Sequence, residues 1–563
     1  LPNINDINGV TIANLSKLDG VTKANIAKVL GITLEAAAAF LLDTYTGAAA
    51  GYSVRRIASS ATNLMRIRED SGDTETDIGY DANGDLDTAA IASHCGTANG
   101  FVVSWVDQSS NGNDADQSTN ASQPKIYDGT TQSVITENGK PIITSSSNAY
   151  MQTAYDGNAI FFSVAVPLDG CILGHYDLTS GGGSNSNGWL YMAESGYGGG
   201  AFGSDITINS ARKNGSAYST TGANADDIYT DFVGQNLLYT SLSTASQNLN
   251  FGYRPGPSVF PMWSMQEFII YPDTSTHTPG DIETDINSEY LIYQPTDAPT
   301  SGLLATYTGA AAAYSVRQLA DTAVIAITVR RDSDDEEQRF GFDSNGDLDT
   351  TGIADFCTTA NGYVSQWWDQ STNGNHATQS TSGNQPQIYN GTAVITENGK
   401  TAVYQNGSTY FNNTTLTSSV NQNNMAQFAA GRLASASPAY GGLFSLLTLT
   451  EDEGMALAYR ADQYIYNDAV LGSHGSNDFT QRLWSGYADN ASSDVKFYRD
   501  GVQQVSTTPS SQTHDNLAVG SLGHTVAATR WNGYIQEVIL FGVSTKADHS
   551  DIESDINTYF SIY

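Results

Sequence analysis

Trp, Asp, Gln and Asn recur at one fixed spacing in two places. Trp105 is followed by Asp107, Gln108, Asn111 and Asn113, and Trp367 by Asp369, Gln370, Asn373 and Asn375. Planar amides and a carboxylate can pair with neighbouring hydroxyls of a sugar, and an aromatic face can stack on its ring. Both strings are therefore candidate carbohydrate-binding loops. Each also contains Asn-Gly, the dipeptide of tight hairpins, and Asp, Asn and Ser rebuild turn hydrogen bonds with their own side chains. A binding loop and a structural turn both remain open here.

A second duplicated string is acidic. Asp81, Asn83, Asp85 and Asp87 alternate around Gly84, and Asp343, Asn345, Asp347 and Asp349 around Gly346. Calcium takes six to eight hard oxygen ligands, so these two loops are candidate metal sites with calcium as the cofactor. The EF-hand pattern has Gly at position 6 and a bidentate Glu at position 12. Here Gly stands fourth, and Ala92 and Ala354 occupy the twelfth place. The alternative is an Asn-Gly turn leading into a helix N-cap, where acidic residues are favoured by the helix dipole.

A glycosidase needs two carboxyl groups across the scissile bond. Glu137 and Glu397, in Ile-Thr-Glu-Asn-Gly-Lys, and Glu267 and Glu537, on strand-like stretches, recur in both copies. With 59 acidic residues, recurrence alone does not make any of them catalytic. The histidines show no paired metal spacing, and neither a Gly-x-Ser-x-Gly elbow nor a phosphate loop is present.

These strings belong to one long duplication. Thr44-Tyr-Thr-Gly-Ala-Ala-Ala-Gly-Tyr-Ser-Val-Arg returns as Thr306-Tyr-Thr-Gly-Ala-Ala-Ala-Ala-Tyr-Ser-Val-Arg, and the copies end alike in Asp281-Ile-Glu-Thr-Asp-Ile-Asn and Asp551-Ile-Glu-Ser-Asp-Ile-Asn. The unit is far longer than a solenoid or propeller repeat, so a whole domain is duplicated. The reading gives a docking segment at 1–43, domains at 44–294 and 303–563, and a Pro-containing semi-stiff linker at 295–302. Within 1–43, Asn8-Gly-Val-Thr and Asp19-Gly-Val-Thr open two short units eleven residues apart. Such units cannot bury an apolar face alone, so the segment is expected to order against a larger assembly or sister chains.

Within each domain, short alternating stretches such as Gly100–Trp105 and Gln266–Tyr271, separated by turn clusters, predict an antiparallel sandwich. Asp87–Gly96 reads as a capped short helix, and Ile282, Ile286 and Tyr290 mark a terminal amphipathic helix, with a twin at Asp551–Tyr559. The net charge of 24 − 59 = −35 excludes nucleic acid and anionic membranes as partners. No apolar run is long enough to span a bilayer, Ala36–Leu42 being too short, and no signal-peptide pattern is present. Cys95 and Cys357 are equivalent and unpaired within the repeat, which predicts buried thiols and folding in a reducing cytoplasm.

Tyr52-Ser-Val-Arg-Arg, Arg66-Ile-Arg-Glu-Asp-Ser-Gly-Asp and the Asp107 string, with Tyr314-Ser-Val-Arg, Val329-Arg-Arg-Asp-Ser-Asp-Asp and the Asp369 string, resemble the catalytic domain of the arabinofuranosidase B type. The resemblance implies a concanavalin-like β-sandwich. It does not bring the reaction with it. The family places its catalytic carboxylates on a strand and in a Gly-Gly-Asp loop, near an adjacent cysteine pair. Here Cys171 stands alone, and the loops are Gly252-Tyr-Arg-Pro and Gly520-Ser-Leu-Gly-His, without the Asp. Glu194 falls near the nucleophile position, but the second copy has Ala461-Asp-Gln there. Without the acid, the leaving group has no proton source.

Non-catalytic sandwiches with these strings resemble structural proteins of tailed bacteriophages. That resemblance implies a fibre, tail or head-decoration protein on the virion surface, held to other virion proteins by residues 1–43. It would be a homo-oligomer displaying two lectin-like jelly rolls toward host-surface polysaccharide. The alternatives are a glycoside hydrolase acting on arabinose-containing polysaccharide and a purely structural virion component.

Overall fold

The computed structural model describes residues 40–563 except 146–148, 157–158, 168–170, 177–188, 194–206, 224, 233, 244–247, 252–262, 273–274, 414–415, 435–439, 448–455, 461–462, 467–468, 474–478, 508–512, 515 and 522–529. Before residue 40 it describes four two-residue strands. Asp6–Ile7 pairs antiparallel with Val10–Thr11, and Lys17–Leu18 with Val21–Thr22, so the eleven-residue step of the sequence is a step between two small hairpins. The remainder of the expected docking segment before residue 40, like Glu194 and the loop at 252–255, lies outside the described residues.

The chain divides into two compact units, Leu1–Asp285 and Ile286–Tyr563. Each is an all-β antiparallel sandwich. In the first, one layer runs Ala50–Ser53, Trp263–Pro272, Ala159–Pro167, Asn236–Ser243 and Thr207–Lys213. The other runs Glu75–Ile78, Met65–Glu69, Gly100–Trp105, Ala115–Asp116, Met151–Asp156, Asn248–Phe251, Cys171–Tyr176 and Trp189–Ala193. Lys125–Asp128 and Ile143–Thr144 carry the hydrogen-bond ladder from one layer to the other.

The second unit repeats the plan. Ala310–Ser315, Asn532–Phe541, Asn424–Leu433, Arg482–Asp489 and Asp494–Arg499 form one layer. Ile327–Arg331, Asn361–Trp367, Ala377–Thr378, Phe411–Asn413, Asn516–Val519 and Tyr440–Leu447 lie in the other, and the ladder closes on itself. The two units differ at one edge. The strand beyond Asn236–Ser243 precedes it in the chain, whereas the strand beyond Arg482–Asp489 follows it.

Hydrophobic pattern explains which strands are central. Trp263–Pro272 is buried at every position but the last, since sheet neighbours flank it on both sides and both of its faces are covered. Its twin Asn532–Phe541 is the same from Ile535 onward. By contrast Gly100–Trp105 alternates, as a strand with one wetter face should. The terminal helices are Pro279–Tyr290 and His549–Phe560; Ile552, Ile556 and Phe560 are buried at the expected helical spacing. Among the described residues no helix is long and apolar enough to cross a membrane.

The residues just before the expected linker are bound to the second unit's strands and loops. The Gln294 amide oxygen accepts from the Val324 and Ile325 amides, and Arg339 donates to the Leu291 and Ile292 carbonyls. Burial holds the Cys95 and Cys357 thiols up at about 11, so both behave as small core hydrophobes.

The short helices Thr88–Cys95 and Thr350–Cys357 are capped by Asp87 and Asp349, which accept from the Ala90 and Gly352 amides. The first stops at Gly96 with φ 57°, the second at Thr358 with φ 53°. The same anchor holds both, a tyrosine hydroxyl (Tyr127 or Tyr389) donating to the stop residue's carbonyl. A β-branched residue pays for that conformation and glycine does not. Thr358→Gly should therefore stabilise the second unit by roughly 1 kcal/mol, read as a rise in its urea midpoint.

Candidate functional site

The duplicated Asp-Gln-Ser-x-Asn-Gly-Asn strings fold into identical clamps. Asp369 Oδ1 accepts from the amides of Ala313 at 2.8 Å and Ser371 at 2.9 Å; Oδ2 accepts from the Ser371 hydroxyl at 2.8 Å and the Asn375 amide at 2.9 Å. Asp107 does the same with Gly51, Ser109 and Asn113. Burial pushes the Asp369 carboxyl up, while the backbone donors of Ser371 and Ala313 pull it back.

The amides extend the clamp. Gln370 accepts from the Leu319 amide and donates to the Arg317 carbonyl, as Gln108 does with Ile57 and Arg55. Asn373 and Asn375 donate to the Ala310 and Ala311 carbonyls, and Asn111 and Asn113 to those of Ala48 and Ala49. Tyr314 and Tyr52 close each loop by donating to the Asn375 and Asn113 carbonyls.

This corrects the expected sugar loop. Trp105 and Trp367 are 0 % exposed, with their indole N–H groups on the carbonyls of Ser53 and Ser315. A ring enclosed on all sides offers no face to a sugar. Asp107, Gln108, Asp369, Gln370 and Asn375 are likewise buried; Asn111 and Asn373 are exposed and Asn113 is half-buried, and all three already donate inward. The strings are stitches that fasten a loop to the first strand of each sandwich.

The acidic loops resolve in the same direction. Asp81 Oδ1 accepts from the amides of Asn83 and Asp85, Asp85 pairs with Lys140, and Asp87 caps its helix. In the second unit Asp343 holds Asn345 and Asp347, Asp347 pairs with Lys400 and receives the Tyr559 hydroxyl, and Asp349 caps. Among the described residues no three His, Cys, Asp or Glu side chains converge as a metal site. The donor sets do not fit calcium, because each carboxylate points to a different partner of its own chain.

Sequence reasoning missed one buried cluster. Glu537, on the central strand, receives the Ser315 hydroxyl at 2.7 Å and a two-pronged Arg317 at 2.8 and 3.0 Å; Arg317 also reaches Asp555 of the terminal helix at 2.8 Å. Glu267 repeats this with Ser53, Arg55 and Asp285. The signal was present in both copies as Tyr-Ser-Val-Arg and Gln-Glu, but nothing in the linear chain says that they meet. Glu397 pairs with Arg432 at 2.6 Å.

No family model and no curated protein matches the chain. Solved structures that resemble it include a GH54 α-L-arabinofuranosidase soaked with a cyclic sulfate inhibitor (14 % identity, TM-score 0.34, 44 % of this chain and 62 % of the other). Others are the Ruminococcus gnavus IT-sialidase CBM40 (11 %, 0.21, 24 % and 83 %) and domain 4 of a GH43 extracellular arabinanase from Geobacillus stearothermophilus in complex with arabinotriose (18 %, 0.20, 29 % and 80 %). The chain spans less than two thirds of the arabinofuranosidase's length. Similarities at this level transfer neither residues nor activity.

Two expectations follow from the clusters. Glu537→Gln removes the counter-charge of a guanidinium whose side chain is 11 % exposed, which should cost the second unit about 3 kcal/mol in urea denaturation. His376 stands where the first unit has Asp114; its Nδ1 accepts from the Asp369 amide, and burial pushes the imidazole down to about 4. Unfolding returns it to about 6.5, so the unfolded chain takes up the proton first. Its contribution is complete above about pH 6.5 and is lost toward pH 4, by about 1.4 kcal/mol per unit at the steepest. His376→Asn should flatten that slope in melts of the second unit.

Proposed function

We propose that this chain is a non-catalytic attachment protein, two β-sandwiches in tandem that present saccharide-binding surfaces and are carried on a larger particle through the N-terminal segment. The observation that carries it is the fate of four of the duplicated carboxylates. Asp107, Asp369, Glu267 and Glu537 are each buried and held by donors of their own unit. A glycosidase needs its two carboxyl groups facing a shared bond in a cleft, one of them able to give up a proton. Carboxylates stitched into loop and strand cannot do this.

The composition supports display. A chain rich in Ser, Thr, Asn and Gly with a net charge of −35 favours solubility and disfavours anionic partners. Duplication supports attachment, because a second tethered site raises avidity without new contact chemistry. The paired hairpins at Asp6–Thr11 and Lys17–Thr22 precede both sandwiches, where an anchor would stand. Taken with the sequence resemblance to tailed-phage structural proteins, the particle is a virion, and the surface bound is that of its host.

The wild-type chain is expected to show no turnover of an aryl arabinofuranoside. Turnover abolished by Glu194→Gln would replace this proposal with the hydrolase. Antibody-gold microscopy of particles from the source culture should label a head, tail or fibre, and label confined to particle-free medium would remove the virion placement.

A further inference from the structure

Comparing the two units separates what the sandwich needs from what it merely carries. The Asp–Gln clamp, the Arg–Glu cluster and the capped short helices appear in both. Among the described residues, one aromatic–arginine cluster of the second has no counterpart at the same register positions of the first. Tyr404 and Tyr534 sit opposite each other across a strand pair, and Arg432 is the next cross-strand partner of Tyr534. The two rings lie 5.2 Å apart at 42°, and the Arg432 guanidinium lies 4.6 Å over Tyr534. Arg432 Nε donates to Glu397 at 2.6 Å, and its Nη1 reaches the carbonyl of Phe479, whose side chain is 43 % exposed.

Val403 and Ile535, next along the two strands, are in the core at 0 % exposure. Strand alternation therefore turns the two tyrosines to the opposite face, where they are half-buried. In the first unit the same register positions hold Thr144, Ser264 and Val166, with a hydroxyl-to-hydroxyl bond of 2.9 Å in place of the ring pair. The fold is thus complete without the aromatic cluster.

We infer that Tyr404, Tyr534, Arg432 and Glu397 form a saccharide platform on the second unit, for a neutral pyranose-containing polysaccharide. This rests on the attachment reading above and gives it a site. The ring pair offers an apolar surface to the C–H face of a pyranose. The Arg–carboxylate pair beside it supplies donors and an acceptor for adjacent hydroxyls, the mix of aromatic wall and few polar groups that saccharide sites use. Neutral sugar is favoured because Glu397 already compensates Arg432, and the chain's charge of −35 repels anionic glycans.

The test is affinity electrophoresis of the full chain through gels containing mannan, galactomannan, dextran or mixed-linkage glucan, with arabinan as a furanose control and polygalacturonate as an anionic one. At least one neutral pyranan should retard the wild type. Tyr404→Ala/Tyr534→Ala should weaken that retardation about tenfold, at an unchanged melting temperature, and Tyr404→Phe should retain it. Retardation unaffected by the alanine pair would overturn the platform while leaving attachment standing. No retardation of the wild type by any gel would overturn both, and retardation by polygalacturonate alone would overturn the neutral class. If the alanine pair unfolds, the graft Thr144→Tyr/Ser264→Tyr/Val166→Arg decides: tighter binding supports the platform, and no gain overturns it.

Discussion

A carboxylate in a protein interior must be surrounded by donors or it will not stay there, and the clamps at Asp107 and Asp369 are built around that requirement. Each gathers donors from its own turn and from the first strand of the sandwich. The loop cannot move without stranding the charge, and the strand cannot slip without losing the loop. Register along Ala50–Ser53 and Ala310–Ser315 is thereby fixed at one end, where a one-residue shift would turn every side chain to the other face.

That register brings the rest into place. Ser315 falls opposite Glu537 on the central strand, and Ser53 opposite Glu267. Two residues on, Arg317 and Arg55 complete the buried pairs and reach Asp555 and Asp285 on the terminal helices. Strand, central strand and helix in each unit are joined through two consecutive charge-assisted contacts. Such buried pairs add little net stability compared with a hydrophobic substitute, but breaking one is expensive, and that asymmetry favours one arrangement over its neighbours.

The conserved polar residues of the repeat are thus spent on architecture, and function has to be sought where the copies differ. The outward face where each central strand pairs with Ile143–Thr144 or its twin shows this most plainly. In the first unit Thr144 and Ser264 make a small polar contact; in the second, Tyr404 and Tyr534 occupy the same register beside Arg432. The edge strands also connect in a different chain order. Duplicate frames with unlike surfaces are what a protein needs if one unit keeps a geometry while the other acquires a contact.

Much of the fold was legible in the linear chain. The duplication, the antiparallel sandwich, the Asp-capped short helices and the Ile282, Ile286, Tyr290 stripe all rest on local period and turn chemistry, which act over a few residues and leave a mark in their order. The clamp strings are legible as well, but not their role, because an Asp-Gln-Ser-x-Asn-Gly-Asn loop reads the same whether its side chains face a ligand or the backbone. Tertiary structure decided that by enclosing Trp105 and Trp367 and turning the amides onto strand carbonyls. It alone paired Ser315 and Arg317 with Glu537, more than two hundred residues away, and set Tyr404 beside Tyr534. Contacts between distant segments depend on how strands align and bury, and no short stretch of sequence records its partner's distance.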